Sequence, residues 1–225
     1  MNKFLELKNI SKTFETSKKL KVIKNLSFNF KKGKIYSLMG PSGSGKSTLL
    51  NIISLIDKPS NGLIKFNHHQ INFDEKEQND HFRAKKIGIV YQQNNLLPDF
   101  TSLENVYLAS LSINNNKDLA ISKAKQLLKK IGLSSRADHY PSQLSGGEAQ
   151  RIAIARAIIN DPEIILADEP TGSLDIKTAK IIFNLLKSQK RSDRLIIFAT
   201  HNRFFGKKAD YLLEILDGNI RSSNG

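Results

Sequence analysis

The chain has 225 residues, of which 39% are hydrophobic and 25% charged, a balance that suits one globular domain with a substantial core. It contains no cysteine, which excludes a disulfide framework and a cysteine-based zinc site, and no apolar run approaches the roughly 18 residues of a membrane-spanning helix. The formal net charge of +14 leaves three explanations open: binding to nucleic acid, attraction to an anionic membrane surface, or a lysine-rich composition.

The N-terminal part of the chain predicts a β layer. Residues from Phe4 to Ile10 alternate between apolar and polar, and Leu26, Phe28 and Phe30 alternate with polar neighbours, so both stretches are predicted strands. The first residues lack the apolar core of a signal peptide, which predicts a cytosolic protein. The lysines come as scattered pairs without an aromatic-basic motif, so no specific nucleic-acid partner is expected.

A glycine-rich stretch follows the apolar run from Ile35 to Met39 and leads into a helix predicted to end near Asp57. Strand, glycine-rich loop ending in Gly-Lys-Ser, and helix are the context in which a phosphate-binding loop occurs. Its glycines let backbone N–H groups converge on phosphate oxygens, and the helix N-terminus adds positive charge. Lys46 is predicted to reach the outer phosphates and the Ser47 hydroxyl to ligate Mg²⁺. The predicted binding residues are Gly40, Pro41, Ser42, Gly43, Ser44, Gly45, Lys46, Ser47 and Thr48.

The pattern is mostly helical from Leu103 to Asn160. An apolar stripe at helical spacing predicts a helix from Leu119 to Ile131. Ser145 stands three residues before Glu148, the spacing of a capping box, and predicts a helix that runs through Ile159. Taken by itself, this segment is equally well explained as a capped helix alone. The glycines at its start also allow a second anion site, which would indicate two chains that share two nucleotides.

Strands return after residue 160. Ile164 to Ala167 and Leu195 to Ala199 are short apolar runs typical of buried strands, and Tyr211 to Arg221 predicts a closing hairpin. Between the two runs, Ala179, Ile182, Phe183 and Leu186 have helical spacing and predict a helix with one apolar face. Asp168 is placed to hold Mg²⁺, and Glu169 to polarise an attacking water. The whole pattern predicts an α/β nucleotide-binding core with an N-terminal β layer and an inserted helical lobe.

The order of these segments resembles the ATP-binding cassette (ABC) ATPases from about Phe4 to Ile220. Gly40 to Ser47 matches Walker A, Ile164 to Glu169 matches Walker B with its glutamate, and Leu144 to Glu148 is the Leu-Ser-Gly-Gly-Glu signature. The resemblance implies a P-loop NTPase (RecA-like) core with an antiparallel β layer and an inserted helical subdomain. The implied extents are about 1–92 and 161–225 for the core with its β layer and about 93–160 for the helical subdomain.

The same resemblance implies roles for single residues. Gln92 corresponds to the glutamine that senses Mg²⁺ and the membrane partner, and His201 to the histidine that contacts the γ-phosphate. Phe14 stands where the family usually places Tyr against adenine, and it keeps the stacking face while losing the hydroxyl. Ser145 and Gly147 would bind the γ-phosphate held by the opposite subunit. The implied catalytic residues are Glu169, His201, Lys46 and Gln92; the implied metal ligands are Ser47, Gln92 and Asp168; Gly146 and Asp175 complete the implied nucleotide site.

Within the family, Leu96 to Val106 resembles the LolD branch, whose members power lipoprotein release from the bacterial inner membrane. MacB-type and FtsE-type ATPases share much of this pattern and are the alternative. The resemblance implies ATP and Mg²⁺ as cofactors, a homodimer that forms on ATP binding, and integral membrane permease subunits as partners. It implies a peripheral position at the cytoplasmic face of the inner membrane. Leu96, Leu97 and Phe100 are expected to face the permease, or else to pack beneath the helical lobe.

Two other functional classes were weighed. A soluble ATPase of the same superfamily that acts on DNA or ribosomes is disfavoured, because DNA-repair members carry coiled coils or cysteine-rich insertions and ribosome-acting members usually carry two cassettes. The short stretch between Gln92 and Leu144 has no cysteine, and the chain has one cassette. A kinase with a phosphate loop leaves the signature segment unexplained.

Overall fold

The structure, a computed structural model, describes residues 4–15 and 19–223. The chain divides into two compact units: one comprises the chain up to Asp80 and from Lys190 onward, and the other comprises His81–Gln189. The domain extents expected from the sequence, with boundaries at about residues 93 and 160, differ from this division and stay a prediction.

In the described ranges the strands are β1 (Leu5–Glu15), β2 (Lys19–Phe30), β3 (Ile35–Met39), β4 (Asn61–Phe66), β5 (His69–Gln70), β6 (Ile87–Val90), β7 (Ile164–Asp168), β8 (Leu195–Ala199), β9 (Tyr211–Leu216) and β10 (Asn219–Ser223). The α-helices of the same ranges are α1 (Lys46–Ile53), α2 (Lys76–Lys86), α3 (Ser102–Leu111), α4 (Lys117–Lys130), α5 (Gly146–Ile158), α6 (Ile176–Lys187) and α7 (Arg203–Gly206). None of these helices combines the length and the apolar composition that a bilayer span requires.

The first unit contains the predicted β layer. Its antiparallel sheet has the strand order β2-β1-β4-β5, and Leu5 of β1 pairs with Phe30 on one side and Phe66 on the other. Leu5 and Leu7 are buried at alternate positions as predicted, and a shift of register between Leu7 and Ile10 brings Ile10 into the core three residues later. Both β1 and β2 are longer than predicted, because the ladder continues as far as the pair Glu15–Lys19.

The strands that carry the phosphate loop also belong to the first unit. β3 is buried throughout and lies between β8 and β9, parallel to both, while β9 and β10 form the predicted hairpin. Parallel strands end at the same edge of a sheet, and ligands bind beyond their carboxyl ends. The loop after β3 and the residues after β8 therefore emerge at one edge. Helix α1 ends at Ile53, earlier than predicted, and Leu55 then takes a left-handed conformation with φ of 61°.

The second unit holds the helical segment. Helices α3, α4 and α5 pack around a cluster of buried residues that comprises Val106, Tyr107, Ala120, Ala124, Leu128, Ile131, Leu133, Ile152, Ala155 and Ile159. The predicted stripe on α4 was wrong at Leu119, which is exposed, because Ala120, Ala124 and Leu128 share the buried face at a spacing of four residues and Leu119 lies beside that face.

Helix α5 lies directly on β6, which pairs in parallel with β7. A Cβ added to Gly88 of β6 would stand 2.2 Å from the carbonyl oxygen of Ala157 of α5, so only glycine allows this approach. Helix α6 buries the apolar face predicted for it, formed by Ala179, Ile182, Phe183 and Leu186. Strand β7 ends at Asp168, and Glu169 follows it directly, so both carboxylates lie at the carboxyl end of this strand.

Candidate functional site

The phosphate loop of the first unit depends on two glycines. Gly40 has φ of 151°, and a Cβ there would stand 2.4 Å from the carbonyl oxygen of Ile215 and 2.7 Å from the Ser44 Oγ. Gly45 has φ of 101°, and its missing Cβ would stand 3.1 Å from Val22 Cγ1 of β2. The positive φ disfavours other residues at both positions, and at Gly40 the backbone contact excludes them as well. The backbone shape of a phosphate cradle is thus built into the loop.

Lys46, the first residue of α1, is buried and points back over this loop. Its Nζ donates hydrogen bonds to the carbonyl oxygens of Gly40, at 2.8 Å, and Pro41, at 3.0 Å. An ammonium group has three donors, so these two carbonyls leave one donor of Lys46 for a ligand. The Oγ of Ser44 is buried and has no hydrogen-bond partner among the residues that the structure describes, which suits a group that receives a ligand. Of the remaining loop residues, Ser42, Gly43 and Ser47 are exposed and Thr48 is half-buried.

His201 follows β8 and is exposed. It lines a cavity of about 460 Å³ together with the first residues of the phosphate loop, which lie far from it in sequence. Two charged residues that the sequence did not indicate, Arg203 and Glu214, line the same cavity. The lining residues are Met39, Gly40, Pro41, His201, Arg203, Glu214 and Leu216.

Phe14 lies near the end of β1, where it pairs with Leu20 of β2. Its side chain is half-buried, so it is not a core residue, and the Lys12 Nζ stands 5.1 Å from its ring centroid. Val22, two residues after Leu20, touches the phosphate loop at Gly45 and was not identified from the sequence. An apolar residue of an alternating strand gives no signal that distinguishes a wall of a ligand site from ordinary packing.

Two carboxylates end β7 in the second unit, as predicted. Asp168 Oδ1 is buried and, among residues 4–15 and 19–223, has no hydrogen-bond partner. A buried oxygen without a partner is costly, and a bound cation or its water would satisfy it. Glu169 has φ of 45°, a conformation that is strained for a residue other than glycine and that recurs at functional sites.

Gln92 lies close to Glu169. A Cβ added to Gly172 would stand 3.3 Å from Gln92 Nε2 and 3.5 Å from Glu169 Cβ, so this glycine touches both side chains. The structure therefore brings the two predicted residues together around Gly172. Gly172 was not predicted as a site residue, although its place three residues after the predicted base Glu169 was an available signal.

The signature segment begins α5 with the predicted capping box. The Ser145 N–H donates to Glu148 Oε2 at 2.8 Å, and Ser145 Oγ accepts from the Glu148 N–H at 3.3 Å. Arg136 Nε donates to the other carboxylate oxygen at 2.8 Å, and this hydrogen bond is the main reason that the pKa of Glu148 falls to about 2. The charged Glu148 holds the helix start, while Ser145 and Gly146 remain exposed.

The start of α6 packs against the signature glycines. A Cβ on Gly147 would stand 2.3 Å from Thr178 Cγ2, and one on Gly146 would stand 3.5 Å from Leu174 Cδ2. Asp175 caps α6 by accepting from the N–H groups of Lys177 and Thr178, and hydrogen bonds from Thr178 lower the pKa of its carboxyl. The structure thus brings Gly146, Gly147 and Asp175 into one neighbourhood.

The model of one protein family, described as ABC transporter, matches residues 23–172. The chain belongs to the ABC transporter family. It is 43% identical over 224 residues to the lipoprotein-releasing system ATP-binding protein LolD of Rickettsia bellii, covering 99% of each chain. It is 42% identical to the LolD of Wigglesworthia glossinidia brevipalpis, covering 98% of this chain and 97% of that one. It is 39% identical to an uncharacterised ABC transporter ATP-binding protein of Methanocaldococcus jannaschii, covering 96% of this chain and 97% of that one.

A solved structure gives the same fold. The dimeric post-hydrolysis state of the ATP-binding cassette MJ0796, bound to ADP and Pi, superposes with a TM-score of 0.90 at 38% identity and covers 98% of each chain. A second dimeric structure of the same cassette gives the same values. The predicted fold class is therefore confirmed.

Proposed function

We propose that this chain is the ATP-hydrolysing subunit of a membrane transporter that releases lipoproteins from the bacterial inner membrane, as the LolD resemblance implied. The observation that carries the proposal is the 43% identity to a LolD subunit over 99% of both chains. The geometry of each unit supports the proposal as well. The first unit has the phosphate loop, and the second has Gln92 close to Glu169 and the capped signature helix.

Nucleotide binding falls to the first unit. The loop from Gly40 to Ser47 wraps the phosphates with backbone N–H groups, Lys46 adds charge to the outer phosphates, and Phe14 stacks on the base. His201 contacts the γ-phosphate from the cavity that it shares with the start of the loop. The remaining loop residues, Pro41, Ser42, Gly43, Ser44, Gly45 and Thr48, form the walls of the cradle.

Hydrolysis needs a base and a metal. Glu169 orients and polarises the attacking water. Its strained backbone and its position beside Gln92, next to Gly172, support this role. Ser47, Gln92 and Asp168 offer the oxygen ligands that Mg²⁺ prefers, and the unsatisfied oxygen of Asp168 fits that use. Among the described residues no cluster of His, Asp and Glu forms a metal cage, which agrees with an ion held chiefly by phosphates and water. When bound, Mg²⁺ neutralises charge that develops on the phosphates.

The active form is a head-to-tail homodimer, in which Ser145, Gly146 and Gly147 of one chain complete the nucleotide site of the other, with Asp175 beside them. The two anion-binding helix starts of one chain support this proposal, as does the dimeric state of the cassette bound to ADP and Pi. Closure of the dimer would then depend on ATP.

The partner is an integral membrane permease, and the chain sits peripherally at the cytoplasmic face of the inner membrane. We define the docking segment as residues 92–106. Within it Leu97 and Phe100 are exposed by 45% and 39%, whereas Leu96 packs against the helical cluster. Both sequence-based interpretations therefore find support, and Leu97 and Phe100 are the residues that we propose to face the permease.

The experiment that tests the function replaces the chain in its own cell by the variant Glu169→Gln. Lipoproteins labelled with palmitate should then accumulate in the inner membrane, and purified wild-type chain should release phosphate from Mg-ATP while the variant does not. Normal lipoprotein release in cells that carry only the variant would contradict the proposal. Absence of ATP hydrolysis in the wild-type chain with its permease would contradict it at the enzymatic level.

A further inference from the structure

Helix α5 carries the signature at its start and an arginine fork near its end. Arg156 Nη1 donates to the carbonyl oxygen of Asn95 at 2.6 Å, and Nη2 donates to that of Asn94 at 2.7 Å. Both carbonyls belong to the docking segment. Asn95 has φ of 48°, so the fork holds the chain at the residue whose backbone is strained.

Other side chains hold the same segment on either side of the fork. Gln150 of α5, which is buried, donates to the carbonyl oxygen of Tyr91 at 3.1 Å, directly before Gln92. Asn105 of α3 accepts from the Leu97 N–H at 2.7 Å and donates to its carbonyl oxygen at 3.1 Å. The same Asn105 Nδ2 lies 2.9 Å from the carbonyl oxygen of Phe100 and 3.0 Å from that of Thr101, so its two N–H donors are shared among three carbonyl oxygens. The backbone from 91 to 101 is therefore fixed by side chains of two helices.

Helix α5 is a suitable element to transmit position. Its first residue, Gly146, and Arg156 are ten positions apart, about 15 Å at the helical rise. The close contact of Ala157 with Gly88 seats it on β6, the strand that leads into the docking segment. A displacement of the start of α5 is therefore transmitted along the helix to Arg156, because no flexible linker lies between them.

We propose that Arg156 is a positioning residue that couples the signature to the docking segment and to Gln92. The proposal rests on the proposed function, since it names the coupling device between ATP-driven closure and the permease. When the signature of one chain engages the nucleotide of the other, α5 shifts, and the fork carries Asn94 and Asn95 with it. Gln92, two residues away and beside Glu169, is thereby set for hydrolysis, and Leu97 moves with the same segment.

The coupling requires the two hydrogen bonds that the guanidinium of Arg156 donates, and its positive charge alone does not suffice. Burial away from water lowers the pKa of Arg156, yet the guanidinium remains protonated at physiological pH. A lysine would place one compact ammonium where two adjacent carbonyls need two donors in a fixed geometry. Arg156→Lys therefore removes the clamp and keeps the charge.

A matched control lies on the same helix. Arg151 Nη1 donates to the carbonyl oxygen of Ile131 at 3.1 Å, which ties α5 to the residue that follows α4. Its Nε donates to the carbonyl oxygen of Gly147 at 3.4 Å, a contact within α5 itself. Neither contact reaches the docking segment. Arg151→Lys makes the same chemical change, so it measures how much stability is lost when any hydrogen-bonded arginine of α5 is replaced by lysine.

The test measures hydrogen–deuterium exchange and steady-state ATP hydrolysis on the full-length wild type, Arg156→Lys and Arg151→Lys, with thermal midpoints recorded for each. In Arg156→Lys without nucleotide, amides of residues 92–101 should exchange about tenfold faster, the factor expected for losing a hydrogen bond to a charged group. Its kcat should fall about tenfold with KM for ATP unchanged, because the fork acts on Gln92 and not on ground-state binding of ATP. In Arg151→Lys, the exchange rate of these amides and kcat should both stay within about twofold of wild type, and the thermal midpoint should be similar.

The outcomes separate the two proposals. If the wild type hydrolyses ATP and Arg156→Lys matches Arg151→Lys in exchange and in kcat, the positioning role is overturned. If both variants lose kcat in proportion to their thermal midpoints, Arg156 is structural only and the inference is again overturned. If the wild type fails to hydrolyse ATP, the proposed function fails, whereas the exchange data still decide whether Arg156 fixes the docking segment.

Discussion

The phosphate loop and the signature helix hold their anion-binding ends in different ways. The loop takes its shape from its own residues: Gly40 and Gly45 adopt positive φ, and Lys46 bonds to carbonyls five and six residues before it. The signature helix depends on partners from elsewhere, because Arg136 holds Glu148 and α6 packs on Gly147. Changes in the loop should therefore alter nucleotide affinity directly, whereas changes around the helix should alter stability, turnover or coupling.

The largest effect is expected within the docking segment, where two adjacent leucines differ. Leu96→Glu buries a charge against the helical cluster and should cost about 3 kcal/mol or more of unfolding free energy. Leu97→Glu alters an exposed side chain, should change stability by no more than about 0.5 kcal/mol, and should abolish membrane association. Thermal unfolding and co-sedimentation with membranes that contain the permease check both. Unchanged membrane association of Leu97→Glu would place the docking surface elsewhere.

In the phosphate loop, Lys46→Ala should weaken ATP binding on the order of 100-fold, since it removes a charged hydrogen-bond donor from the phosphates. His201→Ala should spare binding and slow hydrolysis, because its contact strengthens mainly towards the transition state. Equilibrium titration with ATP and single-turnover hydrolysis measure the two effects separately. A normal hydrolysis rate for His201→Ala would show that its proposed role is wrong.

A smaller loss is expected at Phe14, at the edge of the β layer. Phe14→Ala should lose roughly 1–3 kcal/mol of nucleotide affinity by analogy with base stacking in other proteins. The loss should be similar for ATP and GTP, because a ring face reads no hydrogen-bond pattern. Phe14→Tyr serves as the control, since it keeps the stacking face. Unchanged affinity in Phe14→Ala would exclude contact with the base.

The smallest effect concerns the charge pair at the signature helix. Hydrogen bonds from Arg136 and, to a smaller extent, from Ser145 lower the pKa of Glu148 from 4.5 to about 2, so the fold favours the charged form. Its stabilisation is complete above about pH 4.5 and is lost as the pH falls towards 2. The stability difference between wild type and Glu148→Gln should therefore shrink over that window in acid unfolding experiments. A difference that is constant from pH 6 to pH 2 would contradict the assignment.

The sequence predicted well those parts in which neighbouring residues determine the structure. The phosphate loop, the capping box at Ser145 and the buried face of α6 were all read from local spacing. Helix α2 was not predicted, because Asn79 is its only buried residue and no apolar stripe marks it. The end of α1 was misplaced because Leu55, not the later Pro59, turns the chain.

The residues of the candidate site that were not predicted from the sequence make contacts with residues far away along the chain. Arg156 reaches carbonyls 61 and 62 residues away, and Gln150 reaches one 59 residues away. Backbone carbonyls carry no residue-specific signal, so such clamps cannot be inferred from residue types. Val22 and Gly172 were missed for a related reason, since their importance lies in what a side chain would touch.

The central claim is that ATP joins two chains through the phosphate loop of one and the signature of the other. The most direct measurement is the molar mass of Glu169→Gln in saturating Na-ATP without Mg²⁺, by light scattering coupled to size exclusion. The variant binds ATP but does not hydrolyse it, so its mass should double relative to the nucleotide-free protein, while the double variant Lys46→Ala/Glu169→Gln stays monomeric. A monomer of Glu169→Gln under ATP concentrations that saturate its binding would contradict the account.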